Sequence, residues 1–242
     1  MSSEDSEGRS RAYYDDFATG YERERHHGYH ALLDELELGV ALPFADGRDV
    51  LEVGCGTGLI LGRLNAVARS AEGVDLSPGM LEKARARGLR VREASATELP
   101  YGDASFDLVL SFKVLAHVPD LPRALSEMAR VCRPGGRVLA ELYNPWSLRY
   151  LAKRLAGPGK ISDGRTEADV FTRWDPPTKL GALLPPELAL EEVRGLRVLT
   201  PAAFVHKLPF VGRALARAEH GVTRSPLRWF GGFLVVVATK RA

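Results

Sequence analysis

Leu51-Glu52-Val53-Gly54-Cys55-Gly56-Thr57-Gly58 is the stretch on which the reading of this chain turns. A short apolar run, Asp49 to Val53, breaks into a turn with glycine at every second position. Glycine accepts positive φ and lets a backbone or ligand approach closely. A strand ending in such a turn can pass directly into a helix N-terminus, and Leu59 to Val67 has the character of that helix. The alternation continues downstream. Ala71 to Asp75 predicts a second strand ending in an acid. Ser77 reads as an N-cap with Pro78 at the first helical position, and that helix runs to about Arg87 before Gly88. Leu89 to Glu93 is a third strand. Phe106 to Phe112 is a fourth, apolar throughout as in strands buried on both faces. A helix over Leu121 to Cys132 is stopped by Arg133-Pro134-Gly135-Gly136, and Arg137 to Leu142 is a fifth strand. A sixth is expected at Arg197 to Leu199, a helix over Ala202 to Ala218, and a last strand over Phe233 to Lys240. Strands alternating with helices predict an α/β, right-handed, doubly wound sheet, with the ligand at the carboxyl ends of its strands.

The 242 residues suit one such domain with a small appendage or none. With 26% charged residues and a net charge of +2, the chain is not of the disordered class. Its longest notable apolar run, Phe233 to Ala238, falls far short of the roughly 18 residues of a membrane span. The leading MSSEDSEGRSR has no apolar signal core, which predicts a cytoplasmic protein. Two cysteines, Cys55 and Cys132, make no disulfide framework and read as reduced thiols. Charge is uneven along the chain. Residues 1–50 carry 12 acidic and 5 basic side chains, whereas residues 193–242 carry 9 basic and 1 acidic. The basic end could face an anionic substrate, a lipid surface or RNA, or it could simply lie beside the acidic end.

The glycine turn narrows the ligand. A dinucleotide fingerprint GxGxxG needs glycine at 59, where Leu59 stands. No Lys or Arg lies between Glu52 and Gly62, and Glu52 itself opposes a pyrophosphate while favouring an ammonium group. Asp75 ends the second strand, where a carboxylate can accept both hydroxyls of a ribose. These residues fit a ligand with a ribose, a cationic end and no phosphate.

Four ordered motifs, LEVGCGTG, GVDLSPGMLEKAR, LPYGDASFDLVLS and RPGGRVL, resemble class I S-adenosylmethionine-dependent methyltransferases over about residues 48–143. The similarity is to the type 11 small-molecule family, near the ubiquinone/menaquinone C-methyltransferases. It implies a Rossmann-like, doubly wound, seven-stranded, mostly parallel sheet whose last strand is antiparallel. It also implies S-adenosyl-L-methionine as cofactor. Glu52, Gly54, Cys55, Gly56 and Gly58 then match the loop around its methionine part, and Asp75 the ribose acid, with Leu76 and Met80 beside the adenine. Ser95 and Ala96 stand where the family has Asp-Ala, so a neutral hydroxyl replaces the usual adenine-reading carboxylate. The stretch YYDDFATGYE resembles the family's N-terminal helix, which maps Tyr14 and Tyr21 over the cofactor. Phe112 and Lys113 fall where the fourth strand meets it.

His117 is the candidate catalytic base, since a neutral imidazole just past the fourth strand can take a proton from a methyl acceptor. The competing reading is a packed structural histidine. His26, His27 and His30 lack the companion ligands of a metal site, so no metal is expected. Asn144-Pro145 is similar to the amide-proline motif of adenine N-methyltransferases but follows the wrong strand and lacks its remainder. The chain divides into a disordered lead (1–11), a helical cap (12–45), a cofactor core (46–143), a substrate-side insertion or lid (144–193) and a closing segment (194–242). In the insertion, Leu148, Leu151, Ala152 and Leu155 form a stripe, with Arg149, Lys153 and Arg154 largely off it. With Phe204, Val205, Leu208, Phe210 and Val211 they suggest a cover over an apolar or anionic small-molecule acceptor, or a membrane-facing surface. Nucleic acid is the weaker alternative, because no RNA-binding appendage is evident. A non-catalytic cofactor binder is the other.

Overall fold

The computed structural model describes residues 8, 11, 15, 28–156, 160–162, 165–166, 171–200, 205–206 and 210–242. Seven strands form one sheet. They are β1 (Asp49–Val53), β2 (Ser70–Asp75), β3 (Arg90–Glu93), β4 (Phe106–Ser111), β5 (Cys132–Tyr143), β8 (Leu188–Leu196) and β9 (Phe233–Lys240). A separate antiparallel pair, β6 (Lys160–Ser162) and β7 (Arg165–Thr166), lies outside it. The sheet order is β3-β2-β1-β4-β5-β9-β8. The first five strands pair in parallel, and β9 runs antiparallel to both β5 and β8. The expected mostly parallel, seven-stranded sheet with an antiparallel last strand is therefore the observed one.

Period-two alternation divides the core into two layers. Val50, Leu108, Leu110, Leu139, Val235 and Val237 pack against α1 (Gly28–Ala45) and α2 (Leu59–Asn65). Leu51, Val109, Val138, Ala140, Leu234 and Val236 face the opposite layer, into which α4 (Leu121–Val131) sends Leu121, Leu125 and Met128. Between these, α3 (Pro78–Ala86) joins β2 to β3. Its N-cap is the expected one, because the Met80 amide donates to Ser77 Oγ at 3.1 Å. The Asp120 carboxylate caps α4 in the same way, accepting the Arg123 amide at 3.0 Å.

Two expectations need correction, and a third observation bears on the insertion. The sixth strand is Leu188–Leu196, not Arg197–Leu199. It lies at the sheet edge, carries Glu191, Glu192 and Arg194, and shifts register between Leu190 and Glu192. Those charges and that irregularity erase the apolar alternation that marks a strand. The sheet therefore resumes inside the segment expected to be an insertion. Secondly, the helix expected over Ala202 to Ala218 is α7, Val211–Val222, introduced by Phe210 at φ 65°. Phe204 and Leu208 lie outside the described residues. Thirdly, α5 (Leu148–Ala156) turns its stripe outward. Leu148, Leu151 and Leu155 are exposed, whereas Arg149 is buried. The short helix α6 (Leu180–Leu183) precedes β8.

Candidate active site

The carboxyl ends of β1, β2 and β4 open onto one cleft, at the point where the strand order reverses. The glycine turn forms its floor. The Gly54 and Cys55 amides both donate to Val74 O, at 2.7 and 2.9 Å, which ties the turn to β2. Gly54 has φ 77°, and a Cβ there would lie 2.2 Å from Val114 Cγ2. Gly58, at φ 82°, begins α2, and its Cβ would meet Leu89 Cδ1 at 2.4 Å. Beside Gly56, at φ 53°, the space is open. Cys55 lines the cleft, and burial pushes its thiol far above the usual range.

Three carboxylates, Asp34, Glu52 and Asp75, stand in a mostly apolar lining. Asp75 accepts the Gly56 amide on Oδ2 at 2.8 Å and the Ser77 amide on Oδ1 at 2.9 Å. Each oxygen keeps a lone pair for a further donor. Burial raises the Asp75 pKa, against the pull of those amides. Glu52 is buried at the end of β1, and its Oε2 has no hydrogen-bond partner. Burial raises its pKa well above the carboxylate range, only partly opposed by Lys113. Lys113, at φ 60°, donates from Nζ to Asp34 Oδ1 at 2.9 Å and to Glu37 Oε2 at 2.7 Å. Its amide donates to Glu141 Oε1 at 3.1 Å. One ammonium is thus set among Asp34, Glu37, Glu52 and Glu141.

Leu76, Met80, Ser95 and Ala96 line one side of the cleft, and Phe112, Lys113 and His117 the other. Ser95 Oγ accepts the Thr97 amide at 3.1 Å and shares a 2.7 Å hydrogen bond with the Thr97 hydroxyl. Tyr14 and Tyr21 lie outside the described residues, but Asp15 does not. Asp15 Oδ1 accepts the Ser77 hydroxyl, and the Gly79 amide at 3.1 Å, so Asp15 itself is held at the start of α3.

His117 sits in a 3₁₀ turn on the lip of the cleft. Its Nδ1 is 2.8 Å from Phe171 O, which can only accept, so in the neutral ring Nδ1 carries the hydrogen. Nε2 is then the basic nitrogen and faces Tyr143 Oη at 3.3 Å. Burial raises the Tyr143 pKa, so the phenol is the donor of that pair. The segment that holds His117 is itself pinned to the strand ends. The Arg173 amide donates to Ala116 O at 2.8 Å, and the Asp175 amide to Tyr143 O at 2.8 Å.

The sequence reading did not include eight residues of the cleft lining: Asp34, Thr57, Leu59, Ile60, Ala94, Val114, Val118 and Pro119. Thr57 belongs to the quoted turn and was open to notice, while Asp34 arrives from α1 with no local signal. Asn144 is structural. It is buried, and its Nδ2 donates to Trp229 O at 2.8 Å and Gly231 O at 2.9 Å. Among the described residues no cluster of three or more His, Cys, Asp or Glu side chains is arranged to hold a metal, and His26 and His27 fall outside them. No described helix is long and apolar enough to cross a membrane.

Residues 51–140 match the family model described as a methyltransferase domain. A probable S-adenosylmethionine-dependent methyltransferase of Mycolicibacterium smegmatis is 43% identical over 100 residues, 40% of this chain and 39% of that one. The 27-O-demethylrifamycin SV methyltransferase of Amycolatopsis mediterranei is 35% identical over 159 residues, 56% of this chain and 58% of that one. The chain thus spans less than two thirds of the length of these curated relatives. Among solved structures, a S-adenosylmethionine-dependent methyltransferase from Thermotoga maritima superposes with a TM-score of 0.68 at 23% identity, covering 96% of this chain and 99% of that one.

Proposed function

We propose, from the match of residues 51–140 to a methyltransferase-domain family model and the similarity to S-adenosylmethionine-dependent methyltransferases, that the protein methylates a small apolar or anionic metabolite at oxygen, nitrogen or carbon. The observation that carries this reading is Glu52. It is a buried carboxylate with an unanswered oxygen, beneath a glycine turn that has no cation of its own. When bound, S-adenosylmethionine supplies a methyl group on a sulfonium, which the acceptor displaces in line to leave a neutral thioether. Glu52 answers the cationic end of that ligand. Gly54, Cys55, Gly56 and Gly58 let the backbone approach it, and Asp75 offers its remaining lone pairs to the ribose hydroxyls. Leu76, Met80, Ser95 and Ala96 would enclose the base, and Phe112 and Lys113 would meet the cofactor at the end of β4; the resemblance assigns its cover to Tyr14 and Tyr21. Most of the rate comes from positioning, because the leaving group already carries the driving force.

His117 Nε2 takes the acceptor's proton once the acceptor displaces the 3.3 Å hydrogen bond from the Tyr143 hydroxyl, while the hydrogen bond to Phe171 O holds the required tautomer. The 144–193 segment supplies the acceptor side of the site. The exposed Trp146, Leu148, Leu151 and Leu155 support a second role for α5, contact with an anionic lipid surface. Vesicles containing anionic lipid should retain the protein, and failure to bind or to change its activity removes that role.

Radiolabelled S-adenosylmethionine incubated with the protein and a host lysate tests the main reading. Label in a small-molecule fraction is expected, organic for an apolar acceptor and aqueous for an anionic one, and label in RNA or in no fraction overturns the reading. His117→Ala should lower turnover by about 10²-fold with little change in cofactor affinity. Turnover within about threefold of the parent would remove the base role.

A further inference from the structure

A buried cation with no carboxylate in ion-pair contact among the described residues lies one ring from His117, with the buried Glu141 the nearest acid to feel its charge. Arg149 projects inward from α5 and is 7% exposed. Its guanidinium stands over three aromatic rings, 4.2 Å from the centroid of Tyr143, 4.7 Å from Phe233 and 4.9 Å from Trp174. Its Nη1 is buried without a hydrogen-bond partner, and among the described residues no carboxylate pairs with it. Aromatic faces attract a cation but do not accept hydrogen bonds as an oxyanion does, so a charged donor remains unsatisfied. A buried charge left in this state costs stability, and such a cost is retained where a ligand meets it.

Arg197 converges on the same place. It follows directly on the carboxyl end of β8, with φ 55°, and its guanidinium stacks 4.7 Å from the Tyr29 ring centroid. Gly232 is the reason both side chains fit. A Cβ there would lie 3.2 Å from Cδ of Arg149 and 3.2 Å from Cδ of Arg197. The path back to the cofactor cleft is one ring long. Tyr143 bears Arg149 on its face and reaches His117 Nε2, on the cleft lip, through its hydroxyl at 3.3 Å.

We infer that Arg149, with Arg197 beside it, is the anion-binding subsite for the methyl acceptor, which therefore carries a carboxylate or phosphate about one aromatic ring away from the atom that is methylated. The aromatic walls, Tyr143, Trp174 and Phe233, suit a flat apolar body attached to that anion. Arginine suits the task because its planar fork meets a carboxylate or phosphate with two parallel hydrogen bonds. This inference rests on the methyltransferase reading only for the word acceptor. The anion site itself stands on Arg149 and its cage.

Three probes of similar size separate the possibilities: benzoate, phenyl phosphate and neutral benzamide, each titrated calorimetrically into the protein saturated with S-adenosylhomocysteine. Benzoate or phenyl phosphate should bind at least about tenfold more tightly than benzamide, and the better of the two names the anion. Arg149→Met keeps the apolar stem and should lose that preference. Arg149→Lys, which keeps the charge but not the fork, should retain part of it. S-adenosylhomocysteine affinity should stay within about twofold in both variants, which also reports that they are folded. Equal binding of benzoate and benzamide, or an unchanged preference in Arg149→Met, overturns the inference. Failure of methyl transfer in lysate alongside an Arg149-dependent anion preference would instead sink the methyltransferase reading and leave the subsite standing.

Discussion

Gly54 holds φ 77° with Val114 Cγ2 only 2.2 Å from where a side chain would begin. Gly54→Ala therefore meets two separate penalties, a left-handed backbone and an overpacked contact, together about 2–4 kcal/mol. Melting temperature should fall and cofactor binding should be lost. Adding Val114→Ala should restore part of the stability, because it removes the contact but not the backbone strain. Glu52 yields a prediction of the opposite sign. Burial raises its folded-state pKa. The folded protein therefore binds the proton more tightly than the unfolded chain does, and stability falls as pH rises from the ordinary carboxylate value towards the raised one. Glu52→Gln should accordingly raise the melting temperature of the cofactor-free protein at pH about 8, by about 2–4 °C for each kcal/mol. It should do so much less near pH 5 and should weaken cofactor binding at both. An equal shift at the two pH values would show that Glu52 does not titrate in this way. At this scale the glycines and Glu52 were legible because they sit side by side in the chain. Asp34, Glu37 and Glu141 were not, since only the folded sheet brings α1 and β5 to Lys113.

Elements whose ends carry local chemistry were readable, and those shaped by their neighbours were not. Ser77-Pro78 announced α3, and Phe106 to Phe112 announced β4, because a cap and a doubly buried strand write their reasons into adjacent residues. The edge strand β8 did not, since its charges answer to partners elsewhere. Arg137, on β5, bonds Glu191 at 3.1 Å, and Gly195 is small because a Cβ would lie 2.1 Å from Arg228 O. Nor did α5, whose amphipathic pattern is correct but whose buried face is the arginine side. The amino ends of the strands are joined by a charge cluster. Asp49 on β1 receives Arg69 Nε at 2.9 Å and Arg133 Nη1 at 2.9 Å, and Asp107 on β4 receives the Asp49 amide at 2.9 Å. The Arg69 hydrogen bonds, joined by Ser70 and Arg133, hold the Asp49 carboxyl far below its usual range. That stabilisation is complete above pH about 4 and is lost as pH falls through the depressed value. Asp49→Asn should cost about 1 kcal/mol at neutral pH, a modest figure because Arg69 is largely exposed. The cost should shrink as pH is taken below about 3, and denaturant unfolding at the two pH values checks it.

Across the whole molecule, the fold brings residues from distant parts of the chain to the end of the sheet where its parallel strands finish, from Asp15 beside β2 to Arg197 after β8 and Gly232 before β9. Asp15 bonds the start of α3 through Ser77 and Gly79. Asp15→Ala should speed cofactor dissociation by about tenfold, the equivalent of one charge-assisted hydrogen bond, with little change in melting temperature. An unchanged dissociation rate would show that this clasp does not guard the cleft. The alternation of strands and helices made the doubly wound sheet legible from sequence. The meeting of α5, β5, β8 and β9 around Arg149 was not, since nothing local marks contacts between segments so far apart. The two thiols carry a last consequence of this architecture. Cys55 lies under the cofactor turn and Cys132 at the start of β5, both buried. Burial keeps both protonated, Cys132 with a pKa pushed up to about 11. An alkylating reagent therefore reaches either sulfur only when the structure opens around it. Saturating S-adenosylhomocysteine should slow labelling of Cys55 far more than that of Cys132. The chain thus contains its own pair of stopwatches, one timing the opening of the glycine turn and the other the parting of the central strands.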